Sequence, residues 1–350
     1  MRKILVSYVT TLPLQGNAPS VIINEDVVNN YYVEFIDKKT GEIINKQSFI
    51  SNTYVYGHRQ WFTQWIVKVY DNENNLIHID FLDLTDKPVF IKIDAIALGD
   101  NLAWVPYIEE FRKQHNCRMI CSTFFNDLFK DIYPHILFVK PNTQIDNVYA
   151  QYYVGANSND NLIYSPSNST KVPLQKVASD ILGLEYKEII PNLINDFLPI
   201  KRNIEDKYVC ISEHGSHSKK EWKAGENGWQ KIVDFLNDNG YKVLVISKEP
   251  TNLKNIIDLT GNIPLKERII DLYHADLFIG VSSGLSWLAW SVGIPVVMIS
   301  DCTPKWHEFQ TKMTRIGKND LEYVDYDVTE YTDIETVISE LEKINVLLFD

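Results

Sequence analysis

Residues 276–300, DLFIGVSSGLSWLAWSVGIPVVMIS, pass from an apolar run through three small residues into a second apolar run broken by a glycine and a proline. The first run has the composition of a buried strand, and the second begins with the spacing of a helix. The pattern therefore predicts a strand, a turn, a helix with a glycine stop and a further strand, over Leu277–Val281, Ser282–Gly284, Leu285–Val292 with Gly293, and Pro295–Ser300.

The turn at Ser282, Ser283 and Gly284 is a candidate anion site. Its small side chains leave open the unpaired amides at the start of the following helix, as far as Leu285, and a helix N-terminus attracts negative charge. These four residues are predicted to contact a diphosphate. A well-capped strand-to-helix junction of any α/β protein would show the same pattern, so the segment alone leaves both interpretations open.

The length and composition indicate a folded protein that is not expected to bind nucleic acid. The chain has 350 residues, of which 45% are hydrophobic and 23% charged, and this is enough for two domains with complete cores. Its net charge of −12 lacks the basic face that phosphate backbones require. We therefore expect neither nucleic-acid binding nor attachment to a membrane through a basic patch.

The cysteines and the N-terminus favour a cytoplasmic protein. Cys117 and Cys121 are close in sequence, but Cys210 and Cys302 lie far from them, which is unlike a zinc site. We expect reduced, buried thiols. The N-terminal MRKILVSYVTTLPLQG makes a poor signal peptide, and no run of about twenty apolar residues exists to span a bilayer.

The order of strand-like and helix-like segments predicts an α/β protein in three parts. Residues 1–86 read as strands and turns, which predicts a β-rich N-terminal domain. Residues 87–190 alternate strand and helix, and residues 191–350 do so again after a proline-marked linker and end in a helix expected to pack back across the domains. Two doubly wound halves place a cleft between the carboxyl ends of their sheets, where ligands bind.

The N-terminal domain is rich in aromatic side chains, and two interpretations remain open for them. They could form a binding surface, but alternating aromatics in strands are more often the core face of a small sheet, and we favour the core. The residues are Tyr31, Tyr32, Tyr54, Tyr56, Trp61, Phe62 and Trp65.

Asp100 is the most pointed carboxylate of the first half. It stands between Gly99 and Asn101 in the turn that joins the predicted strand Val89–Ile93 to a predicted helix over 101–114. There it can face the cleft and accept a proton from an attacking hydroxyl. Asp is also a preferred helix N-cap, and the local sequence by itself favours that role.

In the second half, two charged residues follow predicted strands. Lys220 lies in a polar loop after the strand Tyr208–Ser212 and could neutralise a diphosphate leaving group, although a lysine is by default a solvated surface charge. Glu249 follows the strand predicted over 242–247, where an acidic residue can bind ribose hydroxyls.

Taken together, several motifs resemble the heptosyltransferases of glycosyltransferase family 9, and most closely the branch that glycosylates bacterial autotransporter adhesins. They are LGDNLAWVPYIEEFRKQHNC at 98–117, VPLQKVASDILGL at 172–184, the run from Lys220 to Trp229, and GVSSGLSWLAW at 280–290. A β-rich domain ahead of two catalytic halves adds to the resemblance.

The resemblance implies a GT-B fold and inverting transfer of a sugar from a nucleotide donor, expected to be ADP-heptose, to serine hydroxyls of a bacterial surface protein. Carried over, it makes Asp100 the general base, Lys220 the phosphate-contacting lysine and Ser283, Gly284 and Leu285 the phosphate-binding turn. Glu249 is a looser match to the ribose contact.

The chain departs from the family pattern at two places. Many relatives have Asp-Thr-Gly and a histidine where this chain has Ser282-Ser283-Gly284 and Trp287. The adhesin branch carries a cysteine-rich iron-binding insertion, whereas no cysteine follows Cys302 here. We therefore expect no metal or other cofactor and do not expect the branch's ring assembly, while a homo-oligomer is left open.

Two other functions stay open at this point. A GT-B sugar-nucleotide epimerase would need carboxylates on both walls of the sugar pocket. A degenerate GT-B carbohydrate-binding or scaffold protein would fit Ser282 and Trp287, but the presence of both Asp100 and Lys220 speaks against it. The sequence does not decide between a heptose and a hexose, and it does not name the acceptor protein.

Overall fold

The computed structural model describes residues 2–9, 18–160, 163–194, 201–202, 204–215, 218–223, 227–318 and 320–349. Its strands form four sheets, two antiparallel and near the N-terminus, and two parallel. No helix in these ranges combines the length and apolar character needed to cross a membrane.

The N-terminal region is built from antiparallel strands, as predicted. Three strands form one sheet in the order β1-β2-β5, and four form another in the order β4-β3-β6-β7. The strands are β1 (Lys3–Ser7), β2 (Ser20–Asn24), β3 (Asn30–Asp37), β4 (Ile43–Ile50), β5 (Val55–Tyr56), β6 (Trp65–Tyr70) and β7 (Leu76–Phe81).

Three of the seven N-terminal aromatics singled out from the sequence lie in the core, and three others are half-buried. Tyr31, Phe62 and Trp65 are buried, whereas Tyr54 is 60% exposed. Phe62 packs edge-on against Phe111 of the next part of the chain, with ring centres 5.2 Å apart. The N-terminal sheets therefore share one hydrophobic core with the first parallel sheet.

The first parallel sheet has the strand order β10-β9-β8-β11. Its elements are β8 (Pro88–Ile93), α1 (Leu98–His115), β9 (Arg118–Ser122), α2 (Asn126–Phe129), β10 (Ile136–Val139), β11 (Ala150–Val154) and α3 (Leu174–Ile181). Ile163 and Tyr164, between β11 and α3, lie in a turn.

The second parallel sheet has six strands in the order β14-β13-β12-β15-β16-β17. Its elements are β12 (Tyr208–Ser212), α4 (Gly228–Asp238), β13 (Lys242–Val245), β14 (Ile257–Asp258), α5 (Leu265–Tyr273), β15 (Leu277–Val281), α6 (Gly284–Val292), β16 (Val296–Ile299), β17 (Met313–Ile316) and α7 (Ile334–Phe349). The opening motif of the sequence analysis is thus the β15–α6–β16 unit at the centre of this sheet.

The final helix, α7, belongs to the second half. Ile334, Val337 and Leu341 are buried in the same hydrophobic cluster as the strands of the six-stranded sheet, and α7 packs on α4. The expectation that this helix packs back across the domains is therefore wrong for its described side chains. Its apolar positions recur at helical spacing, and α4 offers the nearest apolar face to cover them.

Candidate active site

A cleft of about 790 Å³ separates the carboxyl edges of the two parallel sheets, and it is lined by Asp100, Lys220, Glu249, the Ser282–Leu285 turn and His307. Two helix starts meet at its base. A Cβ added at Gly284 would lie 2.8 Å from the Leu98 Cβ, and one added at Gly99 would lie 3.0 Å from the Trp287 ring. Glycine is needed at both positions because the two walls touch there.

Asp100 lies inside the first turn of α1, not at its cap. The helix begins three residues earlier than predicted, Ala97 occupies the N-cap position, and no side chain caps it. The N-cap role that the local sequence favoured is therefore not taken by Asp100. The carboxylate, which has no hydrogen-bond partner among the described residues, lines the cleft instead.

Burial makes Asp100 a stronger base than an ordinary carboxylate. Removal from water raises its pKa to about 6, with Lys220 across the cleft opposing the rise. An ordinary carboxylate with a pKa near 4 is a weaker base, and a general base works best with a pKa near the operating pH. The wall of α1 thus holds a group that is ionised at neutral pH and readily protonated.

Lys220 ends a single turn of 3₁₀ helix, Ser218–Lys220, that follows β12. Its Nζ lies 5.9 Å from the ring centre of Tyr326, and it is near enough to Asp100 to affect the carboxylate's pKa. The neighbouring Lys219 points elsewhere and pairs with Asp327 at 3.0 Å. The structure therefore separates two lysines that are adjacent in sequence.

The turn between β15 and α6 is buttressed from below. The Ser282 hydroxyl donates to Glu308 Oε1 at 2.7 Å, so its proton is already engaged by a carboxylate. Ser283 is the N-cap of α6, and its buried hydroxyl has no partner among the described residues. Gly284 and Leu285 form the first turn of α6 and line the cleft.

A buried ion pair that the sequence does not predict holds this turn. Glu308 accepts from Ser282, from Thr303 Oγ1 at 2.7 Å and from Arg315 Nη1 at 3.1 Å. Burial opposes ionisation, but Arg315 and the hydrogen bonds hold the pKa of Glu308 below its usual value. Removal of one partner of a buried ion pair lowers the free energy of unfolding by about 3–5 kcal/mol, so this pair holds the turn firmly. No sequence periodicity marks either residue.

Asn101 holds the opposite wall in place. Its side chain is fully buried, and Nδ2 donates to the carbonyls of Ala95 and Ala97, both at 2.8 Å. Thr123, at the end of β9, donates a short hydrogen bond to Asn101 Oδ1. Asn101 therefore fixes the first turn of α1, and with it Gly99 and Asp100, to the loops after β8 and β9.

Glu249 and two histidines also line the cleft. Glu249 is exposed at the cleft edge after β13, and its ribose contact stays a prediction. His214 Nδ1 lies 3.4 Å from Glu221 Oε1. His307, which the sequence analysis did not single out, has a buried Nδ1 without a partner among the described residues, and burial lowers its pKa.

Comparison with known proteins gives the family. Residues 175–305 match the model of glycosyltransferase family 9 (heptosyltransferase). The autotransporter heptosyltransferase BAHTCr of Citrobacter rodentium is 34% identical over 294 residues, which cover 80% of this chain and 71% of that protein. A relative named as an inactive autotransporter heptosyltransferase, BimC of Burkholderia thailandensis, is 31% identical over 72% of this chain and 62% of its own length.

The fold comparison points to the same branch. The crystal structure of TibC from enterotoxigenic E. coli, an iron-containing dodecameric glycosyltransferase, has a TM-score of 0.86 and 26% identity, covering 99% of this chain and 96% of TibC. A second TibC structure, in complex with ADP-D-beta-D-heptose, has a TM-score of 0.82 and 25% identity, covering 98% and 96%.

The iron of TibC contradicts our prediction of a protein without metal or other cofactor. That prediction rested on the lack of a cysteine after Cys302, and such a lack does not exclude ligands that folding brings together. In the described ranges, no group of three or more His, Cys, Asp or Glu side chains could hold a metal ion, and all four cysteines are free and buried. The described residues therefore do not fit an iron centre.

The match in sequence, the match in fold and the cleft between two parallel sheets agree. Identity of 34% over 80% of this chain and 71% of the relative shows the family. The fold is the GT-B fold that the motifs implied, and the chain belongs to glycosyltransferase family 9, among its autotransporter heptosyltransferases.

Proposed function

We propose that this glycosyltransferase transfers heptose from ADP-heptose, with inversion, to serine hydroxyls of a bacterial autotransporter-type surface protein. One observation carries the proposal: Asp100 and Lys220 line one cleft from opposite walls, beside the start of α6. The choice of ADP-heptose and of an autotransporter acceptor is supported by the complex of TibC and by the names of the relatives.

The order of strands in the six-stranded sheet supports an orientation for the donor. Glu249 follows β13, Lys220 follows β12, and Ser283 follows β15, and these three strands are neighbours in that order. A nucleotide sugar laid along this edge would place its ribose at Glu249 and its diphosphate between Lys220 and the amides of Ser283, Gly284 and Leu285. Ser282, whose hydroxyl is bound to Glu308, would support the turn from below.

In the proposed reaction Asp100 accepts the proton of the serine hydroxyl while the serine oxygen attacks the anomeric carbon of heptose. The bond between that carbon and the diphosphate oxygen breaks, and ADP leaves with the electron pair. Lys220 and the α6 amides stabilise the charge that develops on the diphosphate, a contribution of about 2.7–4 kcal/mol for a single such contact in other enzymes.

The proposal also covers the compartment, the oligomeric state and the domain bounds of the enzyme. The enzyme acts in the cytoplasm, before its acceptor is exported. It self-associates, as the dodecameric TibC does. Its β-rich N-terminal domain ends near residue 86, and the two Rossmann-like halves meet near residue 190.

Co-expression with candidate surface proteins, followed by intact-mass measurement of each, tests the function. The proposal predicts the mass of one or more heptosyl groups on serine, lost when the strain cannot make ADP-heptose. Addition of a hexose would overturn the choice of donor. Because one relative is named inactive, an enzyme that binds ADP-heptose but modifies no acceptor would overturn the transfer itself.

A further inference from the structure

Two apolar side chains stand exposed on the Asp100 side of the cleft. Ile96, four residues before Asp100, is 79% exposed and lines the cleft, and Phe124, which lies in the loop after β9 next to the cleft-lining Phe125, is 51% exposed. Among the exposed large apolar residues of the described chain, Ile96 has the greatest exposure. Exposed apolar side chains grouped beside a functional site often mark a binding surface.

The loops that carry these side chains are held rigidly to the base. Asn101 binds the carbonyls of Ala95 and Ala97, on both sides of Ile96. Thr123 donates to Asn101 and accepts from the Phe125 amide at 3.1 Å, which fixes the loop on both sides of Phe124. One buried asparagine therefore fixes Ile96, Asp100 and Phe124 to the same edge.

The position of this patch indicates what covers it. The donor groups lie on the other wall, at the ends of β13, β12 and β15, so the space beside Asp100 belongs to the molecule whose hydroxyl Asp100 deprotonates. In the proposed function that molecule is a polypeptide, and only its residues next to the target serine can reach the loops after β8 and β9.

We propose that Ile96 and Phe124 form the acceptor-binding patch, which holds an extended segment of the acceptor polypeptide through an apolar side chain close to the target serine. This inference rests on the proposed function and adds to it a sequence preference: serines next to apolar residues are glycosylated ahead of serines in wholly polar segments.

The test uses the full-length enzyme, ADP-heptose and a peptide copied from the modified segment of the acceptor found by co-expression. Ile96→Ser and Phe124→Ser should each raise KM for the peptide about three- to tenfold, because each removes apolar area that the complex would bury. The KM for ADP-heptose should stay within about twofold. Both residues are exposed, so melting temperatures should match the parent.

Leu137→Ser is the matched control. Leu137 is 61% exposed on β10, and no residue of β10 lines the cleft, whereas Phe124 is the direct neighbour of a cleft residue, so neither KM should change in Leu137→Ser. A second peptide, in which serine replaces the apolar residues next to the target serine, should have a higher KM than the first peptide with the parent enzyme. With the Ile96→Ser variant, the two peptides should have about the same KM.

Unchanged peptide KM in both variants, or an equal rise in the KM for ADP-heptose, would overturn the patch while leaving the proposed function intact. A parent enzyme that transfers heptose to no polypeptide would overturn the proposed function, and this inference with it. The two failures are distinguished by the parent's own activity.

Discussion

The two walls of the cleft use the same structural device for opposite purposes. On each wall a parallel strand ends, a short turn follows and a helix begins, α1 at Leu98 and α6 at Gly284. Neither helix start has a side-chain cap bond, and the two meet through glycine. Because both starts carry the same partial positive charge, the first-turn residues decide what each wall does.

In α1 the first turn contains its own carboxylate, Asp100, whereas the first turn of α6 contains no charged residue. A carboxylate in the first turn offsets part of the positive charge of a helix start, and an uncharged turn leaves that charge to an external anion. The α1 wall is thus suited to a base, and the α6 wall to a diphosphate. Exchanging or removing these features should separate their roles.

Asp100→Asn should produce the largest effect. The change keeps the shape of the side chain but removes the proton acceptor, so transfer should fall by about 10²–10⁴. Nucleotide binding should remain, because the diphosphate contacts lie on the other wall. Initial rates and calorimetric ADP affinity, measured on the same preparation, check this. Near-parental turnover in Asp100→Asn would mean that another cleft group is the base.

Lys220→Met should follow, with transfer reduced by about 10²–10³, since the leaving diphosphate would lose its cation. Lys219→Met is the control, because Lys219 pairs with the exposed Asp327 and an exposed pair contributes about 0–1 kcal/mol. Steady-state rates with saturating ADP-heptose distinguish the two lysines. Equal losses in both variants would contradict the assignment of the phosphate contact to Lys220.

The strands of the α6 wall could be predicted closely from sequence. Leu277–Val281 and Tyr208–Ser212 have the predicted bounds, because strands buried on both faces are continuous apolar runs. The start of α1 could not be predicted from sequence. Gly99 and Asp100 suggested a turn, but Gly99 is helical and is required by the approach of Trp287 from the other wall, a contact that no local pattern contains.

The site shows the same division. Asp100, Lys220 and the Ser283–Leu285 turn lie in segments that follow parallel strands, where ligands of α/β proteins bind, and they line one cleft. His307 and Glu308 lie in the irregular segment between β16 and β17, and Arg315 lies in the four-residue strand β17, so no periodicity marks them. Their importance comes from burial and from partners distant in sequence, and these are known only once the chain has folded.

The pH dependence of transfer should show the state of Asp100. Since its pKa is raised to about 6, kcat/KM should fall about tenfold per pH unit below that value. The stability of the fold should change with pH in the opposite direction, because the contribution of Asp100 falls as pH rises. The folded-state pKa exceeds the unfolded one near 3.8, so ionised Asp100 disfavours folding in full above pH 6 and not at all below pH 3.8. Asp100→Asn should therefore melt at or above the parental temperature at pH 7.5, and a lower melting temperature would contradict this burial.

The contact between the two helix starts gives the smallest effect. In Gly284→Ala the new Cβ would stand 2.8 Å from the Leu98 Cβ and 3.4 Å from the Gly99 nitrogen. Neither atom is the far end of a flexible side chain, so α1 and α6 must move apart, at a cost of about 1–3 kcal/mol in overpacked sites. We expect transfer to fall about three- to tenfold as the walls separate.

Gly215→Ala is the matched control for that contact, because its Cβ would have ordinary contacts of 3.4 Å or more on the same wall. Combining Gly284→Ala with Leu98→Gly removes the clashing Cβ and should restore part of the lost rate. If the double variant is no better than Gly284→Ala alone, the loss arises within the α6 turn and not from its contact with α1. The position of Asp100 would then depend little on the position of the diphosphate-binding turn, although their two helices are in contact.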